Sequence, residues 1–260
     1  IASPLGSWIS IAAGQERRFL AEKTTMDLKL ELTRISQAVS SLGTVSYYHL
    51  FKLAGNLIDA EEGVIEHRVS QLLARRLLQK MDFSVDVSGL DRVHGMKHYC
   101  VVCSPASHLA CPVLLAFSPS PLRFVAKKEL TAMPVIGSYL KLRGILIDRS
   151  KGDDAKKAIR RAAADDSPFP ILLFPEGTRT SDGELKPFKK GGLRIMTDAG
   201  LSLVPVRITG TFEAFSRHDP VIKPGMPLKM MVGEPVESAD NPEWAMAEVE
   251  RRMHALGEED

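Results

Sequence analysis

A chain of 260 residues with 44% hydrophobic and 25% charged residues has the make-up of a folded globular protein, which excludes a disordered or fibrous chain. The net charge of +2 gives no reason to expect a nucleic-acid partner, and three cysteines, Cys100, Cys103 and Cys111, form no disulfide framework. A reducing, cytoplasmic setting is therefore expected, and with no run of about 20 apolar residues no membrane-spanning helix is expected either.

The chain begins at Ile1, as a processed chain or a fragment would, and residues 1–13 lack the basic start and apolar core of a signal peptide. Helical spacing links Leu28, Leu30, Leu32, Ile35 and Val39, and more clearly Val64, Ile65, Val69, Leu72, Leu73, Leu77 and Leu78. The second stripe carries Arg68, Arg75, Arg76 and Lys80 on its polar side, and a core-facing helix with a solvated basic face is favoured over one lying on a bilayer. From residue 83 onward strands alternate with helices. Strands are predicted at 83–87, 99–103, 122–126, 145–147, 169–174 and 203–208, with an edge strand at 226–232. Helices are predicted at 108–117, 128–142, 153–164, 191–199 and 243–256. The alternation predicts an α/β domain with a mostly parallel sheet. The organisation is then an N-terminal segment at 1–23, a helical region at 24–81, the α/β domain at 82–240 and a C-terminal helix at 241–260.

The cysteine spacing Cys100-x-x-Cys103, with His108 and Cys111 beyond it, is compatible in number with zinc. A strand sends residues three apart to opposite faces, however, so buried free thiols are the better expectation and no metal is assigned. The most informative string is Phe174-Pro175-Glu176-Gly177-Thr178-Arg179, directly after an apolar strand. Ligands of open α/β sheets bind beyond the carboxyl ends of strands. Arg179 offers the planar donor fork that suits phosphate, and Lys186, Lys189 and Lys190 continue the basic run to Gly191-Gly192 at a helix start. The competing expectation is a solvated loop in which Glu176 and Arg179 pair structurally.

That string resembles the third signature block of the glycerolipid acyltransferases of the lysophosphatidate type, and the resemblance runs over about residues 85–240. The stretch 122–130 is similar to the family's segment after its catalytic helix. Residues 134–137 and 144–149 are similar to its second block, one residue short between Gly144 and Arg149, and Val204-Pro205-Val206 to its fourth. The resemblance implies that Lys127, Arg149 and Arg179 hold the acceptor's phosphate, with Gly177 and Thr178 in the same loop and Glu176 anchoring glycerol hydroxyls. It implies an acyl-CoA or acyl-carrier protein donor, a lysophosphatidate acceptor and no cofactor. A glycerol-phosphate or ornithine-lipid acceptor is the weaker alternative. It also implies work at the inner face of a membrane, to which the basic loop 186–190 and the N-terminal helices would attach peripherally.

Family members open their first block with His, four residues, then Asp. The His takes the proton of the attacking hydroxyl while Asp orients its ring. In this chain those positions are Pro105 and Ala110, neither of which accepts a proton from its side chain. His108 and His98 lead by the same spacing to Val113 and Cys103, so neither restores the pair. The expectation is a chain that binds a phosphate-bearing lipid and transfers acyl groups poorly or not at all. The alternative is a catalytically inactive lipid-phosphate binding or scaffold protein.

Overall fold

The computed structural model describes residues 64–258 except 105–106, 133–135, 149, 151, 179, 217–218, 220 and 239–240. The expected N-terminal segment and the part of the helical region before residue 64 lie outside the described residues. The second helical stripe becomes α1, Val64–Lys80.

Among the described residues a seven-stranded sheet forms the centre, in the order β1-β7-β6-β2-β5-β3-β4. The strands are β1 Ser84–Ser88, β2 Tyr99–Cys103, β3 Arg123–Lys127, β4 Ile145–Ile147, β5 Ile171–Leu173, β6 Ser202–Thr209 and β7 Pro227–Val232. All neighbours run parallel except β6 and β7. The α/β fold expected from the alternation is present. Its central strands read as unbroken apolar runs because both faces of a parallel sheet are covered. In β2 all five residues are buried, and the side chains divide between two cores. Tyr99, Val101 and Cys103 enter one, whereas Cys100 and Val102 enter the other.

The first core is closed by α1, by α2 (Ala110–Phe117) and by α3 (Ile136–Arg143). The second is closed by α4 (Gly152–Ala163), α5 (Lys190–Asp198) and α7 (Pro242–Glu258). A four-residue helix, α6 (Thr211–Ala214), follows β6 and lies outside the predicted set. α1 is a core-facing helix: Leu73, Ala74 and Leu78 are buried while Arg68, Arg75, Arg76 and Lys80 face solvent. It also caps the end of α2. His67 Nε2 and Gln71 Nε2 lie 3.1 and 2.7 Å from the Ser118 carbonyl, and Arg75 Nε donates to that of Ala116 at 2.9 Å. Carbonyls at a helix C-terminus lack partners within the helix, so α1 supplies them.

Three expectations needed correction. The segment 169–174 yields only Ile171–Leu173 as strand, because Pro170 cannot donate to a ladder and the Phe174 carbonyl already accepts Gly177 N–H in the next turn. The strand expected at the edge, β7, is interior: it pairs with β1 on one side and β6 on the other. The outer position falls to β1, whose Ser84, Asp86 and Ser88 are solvent-exposed in alternation. The long helix expected at 128–142 is a 3-10 turn, Lys128–Ala132, followed by α3.

Pro205 sits inside β6 without breaking it. Leu203 exchanges both backbone bonds with Val236, so the absent donor two residues later faces the same side, where 233–235 leave the ladder. Gly233 N–H donates to the Pro205 carbonyl there, and the pairing of β6 with β2 stays intact.

Candidate active site

The sheet brings the predicted blocks together by topology. Strands β2, β5, β3 and β4 are neighbours and parallel, so the segments after Cys103, Leu173, Lys127 and Ile147 emerge at one end of the sheet. Those segments carry the block around 105–110, the block 174–179, Lys127 itself and Arg149. Lys127 is exposed at the last position of β3, and Ile147 pairs with it at the end of β4. Asp148 Oδ1 accepts from both the backbone and the hydroxyl of Ser150, so it forms its own local turn. Pro105, Arg149 and Arg179 lie outside the described residues.

The turn after β5 is tight. Gly177 takes a φ of 71° and donates to the Phe174 carbonyl at 3.1 Å, a left-handed conformation that side chains with a Cβ resist. Pro175 is buried and its carbonyl accepts Lys189 N–H at 2.9 Å, which ties the turn to the start of α5. Thr178 is exposed on the same turn. Thr180 closes the loop beyond it, donating to Asp182 Oδ1 at 2.6 Å while accepting from Gly183 N–H.

Among the described residues Glu176 is the one charged residue of this region that is deeply buried, with 2% of its surface exposed. Ser104 Oγ, 6% exposed at the end of β2, donates to Glu176 Oε1 at 2.5 Å. Glu176 Oε2 makes no hydrogen bond of ordinary geometry among the described residues. Burial pushes the carboxyl above the usual glutamate range. The Ser104 bond, the Lys186 backbone and the charges of Lys186 and Arg207 pull the other way without cancelling it. Sequence reasoning missed Ser104. The available signal was a lone hydroxyl residue closing five apolar ones, immediately before position 105. It missed Arg207 as well, a charge inside the otherwise apolar β6.

Ala110 begins α2 and is fully buried among Leu109, Val113 and Leu114. Ser107 takes over the local hydrogen bonding, donating to the Phe215 carbonyl at 2.6 Å and accepting from Leu109 N–H at 3.2 Å. His108, half-buried, packs its ring on Phe215 with centroids 6.5 Å apart. His98 is exposed just before β2, at the opposite end of that strand from the blocks. The cysteines are buried or nearly so, and burial raises all three thiols, that of Cys111 to about 12. Thiols held that high are poor nucleophiles and ligands. No group of three or more potential metal ligands occurs among the described residues.

Residues 84–209, which contain every one of these blocks, match the family model described as Acyltransferase. The chain is thus similar to the acyltransferases over a little under half of its length. Similarity to the 1-acyl-sn-glycerol-3-phosphate acyltransferase of Cocos nucifera is 30% identity over 158 residues, covering 60% of this chain and 51% of that protein. The enzyme of the same description from Limnanthes alba is 28% identical over 169 residues, covering 64% and 58%. The chain thus spans between half and three fifths of these relatives. The crystal structure of the 1-acyl-sn-glycerophosphate acyltransferase PlsC from Thermotoga maritima superimposes with a TM-score of 0.69 at 22% identity, over 85% of this chain and 97% of that one. That likeness establishes the family's fold here. No helix among the described residues is long and apolar enough to cross a membrane.

Proposed function

We propose that this chain binds lysophosphatidate at the carboxyl end of the sheet and transfers to its free hydroxyl a fatty acyl group from acyl-CoA or acyl-carrier protein, slowly for its family. Lys127, Arg149 and Arg179 take the phosphate, and Glu176, Gly177 and Thr178 form the loop against the glycerol. The observation that carries the reading is the convergence of four parallel strand ends around a buried glutamate. A positioned acid–base group is worth about 10² to 10⁴ in rate, and members of a dyad act as a unit, so losing His and Asp together leaves binding and a residue of turnover.

The burial of Ala110 in an apolar core favours a second reading, a lipid-phosphate binding or scaffold protein without catalysis. Two measurements test these. Saturable binding of lysophosphatidate is expected under both, and its absence sinks both. Acyl transfer is then followed in the wild type and in the Pro105→His/Ala110→Asp variant. Turnover at ordinary enzyme rates in the wild type overturns the slow-enzyme reading, whereas a large gain in the variant shows that the rest of the site is competent.

The exposed Lys189 and Lys190 and the half-buried Lys186 support peripheral attachment to an anionic membrane face. Co-sedimentation with anionic vesicles at low salt is expected; no binding there removes this part of the reading.

A further inference from the structure

Buried polar atoms in folded proteins are almost always hydrogen-bonded, and an exception calls for an explanation. Among the described residues the exceptions are His67 Nδ1, Ser70 Oγ, Glu176 Oε2 and Thr211 Oγ1. Only His67 and Glu176 can accept a proton near neutral pH. His67 belongs to α1 and contacts the C-terminal end of α2, eight residues from Ala110 and so about 12 Å along the helix from the first block. Glu176 is bonded to Ser104, the residue next to Pro105 in the chain. Oε2, which makes no hydrogen bond of ordinary geometry among the described residues, thus belongs to a carboxyl held by the chain neighbour of the position where the family keeps its base.

We propose that Glu176 is the general base of acyl transfer in this chain and that Ser104 is the residue that positions it. The proposal rests on the acyl-transfer reading above. The acceptor hydroxyl donates to Glu176 Oε2 and its oxygen attacks the thioester carbonyl carbon. As the carbon–oxygen bond forms, the proton passes to Oε2. The tetrahedral adduct then collapses, the carbon–sulfur bond breaks, and the departing thiolate takes that proton from Glu176. The carboxylate is regenerated and nothing is oxidised or reduced.

The geometry supplies what a base–orienter pair requires. Ser104 holds Oε1 at 2.5 Å and so fixes which oxygen is left for the ligand, as a carboxylate does for an imidazole in a His–Asp pair. Burial makes the carboxylate more basic than a free one, which favours proton abstraction near neutral pH. Lys186 and Arg207 keep the ionised form accessible despite that burial. Near this end the thiols of Cys103 and Cys111 are held protonated, the side chain of Ala110 accepts nothing, and the His108 ring packs on Phe215.

The test uses the full chain, oleoyl-CoA and lysophosphatidate, with lysophosphatidate binding measured separately. Glu176→Gln, nearly isosteric and still able to hydrogen-bond the glycerol hydroxyls, is expected to lower kcat by about 10² to 10⁴, well beyond any loss of binding. Ser104→Ala removes a bond that favours the ionised carboxyl, so the rise of kcat with pH should move to higher pH. Ser104→Thr, which keeps the hydroxyl, should restore the wild-type profile. An unchanged kcat in Glu176→Gln overturns the proposal, and a loss confined to binding does so too by assigning the carboxylate to binding alone. Wild-type transfer no faster than in a protein-free mixture, with lysophosphatidate still bound, overturns the base and leaves the binding site standing. No binding by the wild type overturns the underlying reading with it.

Discussion

Replacing Ser104 with Ala should cost stability out of proportion to the one hydroxyl removed. The bond to Glu176 Oε1 is 2.5 Å long, and its two residues are 6% and 2% exposed, so water cannot take the place of the lost donor. Glu176 Oε2 makes no hydrogen bond of ordinary geometry among the described residues, so only the weaker pull of the Lys186 backbone and of nearby charges remains to hold the carboxyl. A hydrogen bond to a buried charged group is worth about 1.5–3 kcal/mol, and that is the expected loss. With a urea slope of about 2 kcal/mol/M the unfolding midpoint should fall by roughly 1 M. The double variant Ser104→Ala/Glu176→Met buries no charge, and replacing both partners with apolar groups is nearly neutral, so it should recover most of the loss. The sign with pH also follows. Because the folded carboxyl is raised above its unfolded value, the native state holds the proton longer, and stability falls as pH rises from the ordinary glutamate range through the raised value. In Ser104→Ala that fall should extend to higher pH. A single variant within about 0.5 kcal/mol of wild type at pH 8, or a double variant no better than the single, would refute the reasoning.

Leu172 is fully buried between β2 and β3, and Leu172→Ala should lower stability by about 2–5 kcal/mol in denaturant titration. Gly210 has a φ of 77°, and an added Cβ would lie 2.2 Å from the Pro227 carbonyl oxygen. Gly210→Ala should therefore cost at least about 1–2 kcal/mol, read as a lower melting temperature. Burial holds the His67 imidazole below its ordinary range despite the nearby Ser118 carbonyl. The unfolded chain then binds the proton first as pH falls, so the contribution present above about 6.5 is lost below it. His67→Gln should flatten the acid limb of the stability profile between pH 7 and 5; an unchanged limb would show that His67 does not set it.

The sequence by itself was enough for the class of fold. Strands β2 and β4 lie at the residues their apolar runs predicted, and α4, α5 and α7 within a residue or two of their periodic patterns, because periodicity and capping are local properties. The family blocks were legible for the same reason: turns such as Pro175-Glu176-Gly177 need particular residues in a particular order. Pro105 and Ala110, where the resemblance would put His and Asp, stood out as a departure from that order.

The tertiary structure decided what depends on distant partners. The interior place of β7 could not be read from its own residues, since an apolar run looks alike at an edge and between two strands. β1, 143 residues earlier at the Ser84–Pro227 pair, supplies the missing neighbour. The Ser104–Glu176 bond spans 72 residues and joins two blocks that the sequence presents as separate. In sequence Glu176 reads as a loop carboxylate turned to a ligand's hydroxyls, or to Arg179 in the competing expectation. The parallel pairing of β2 with β5 places it against Ser104, away from water, with Oε1 held and Oε2 without an ordinary hydrogen bond among the described residues. Burial and hydrogen bonding are set by what the rest of the chain brings alongside, and it is these that give the carboxylate its chemistry.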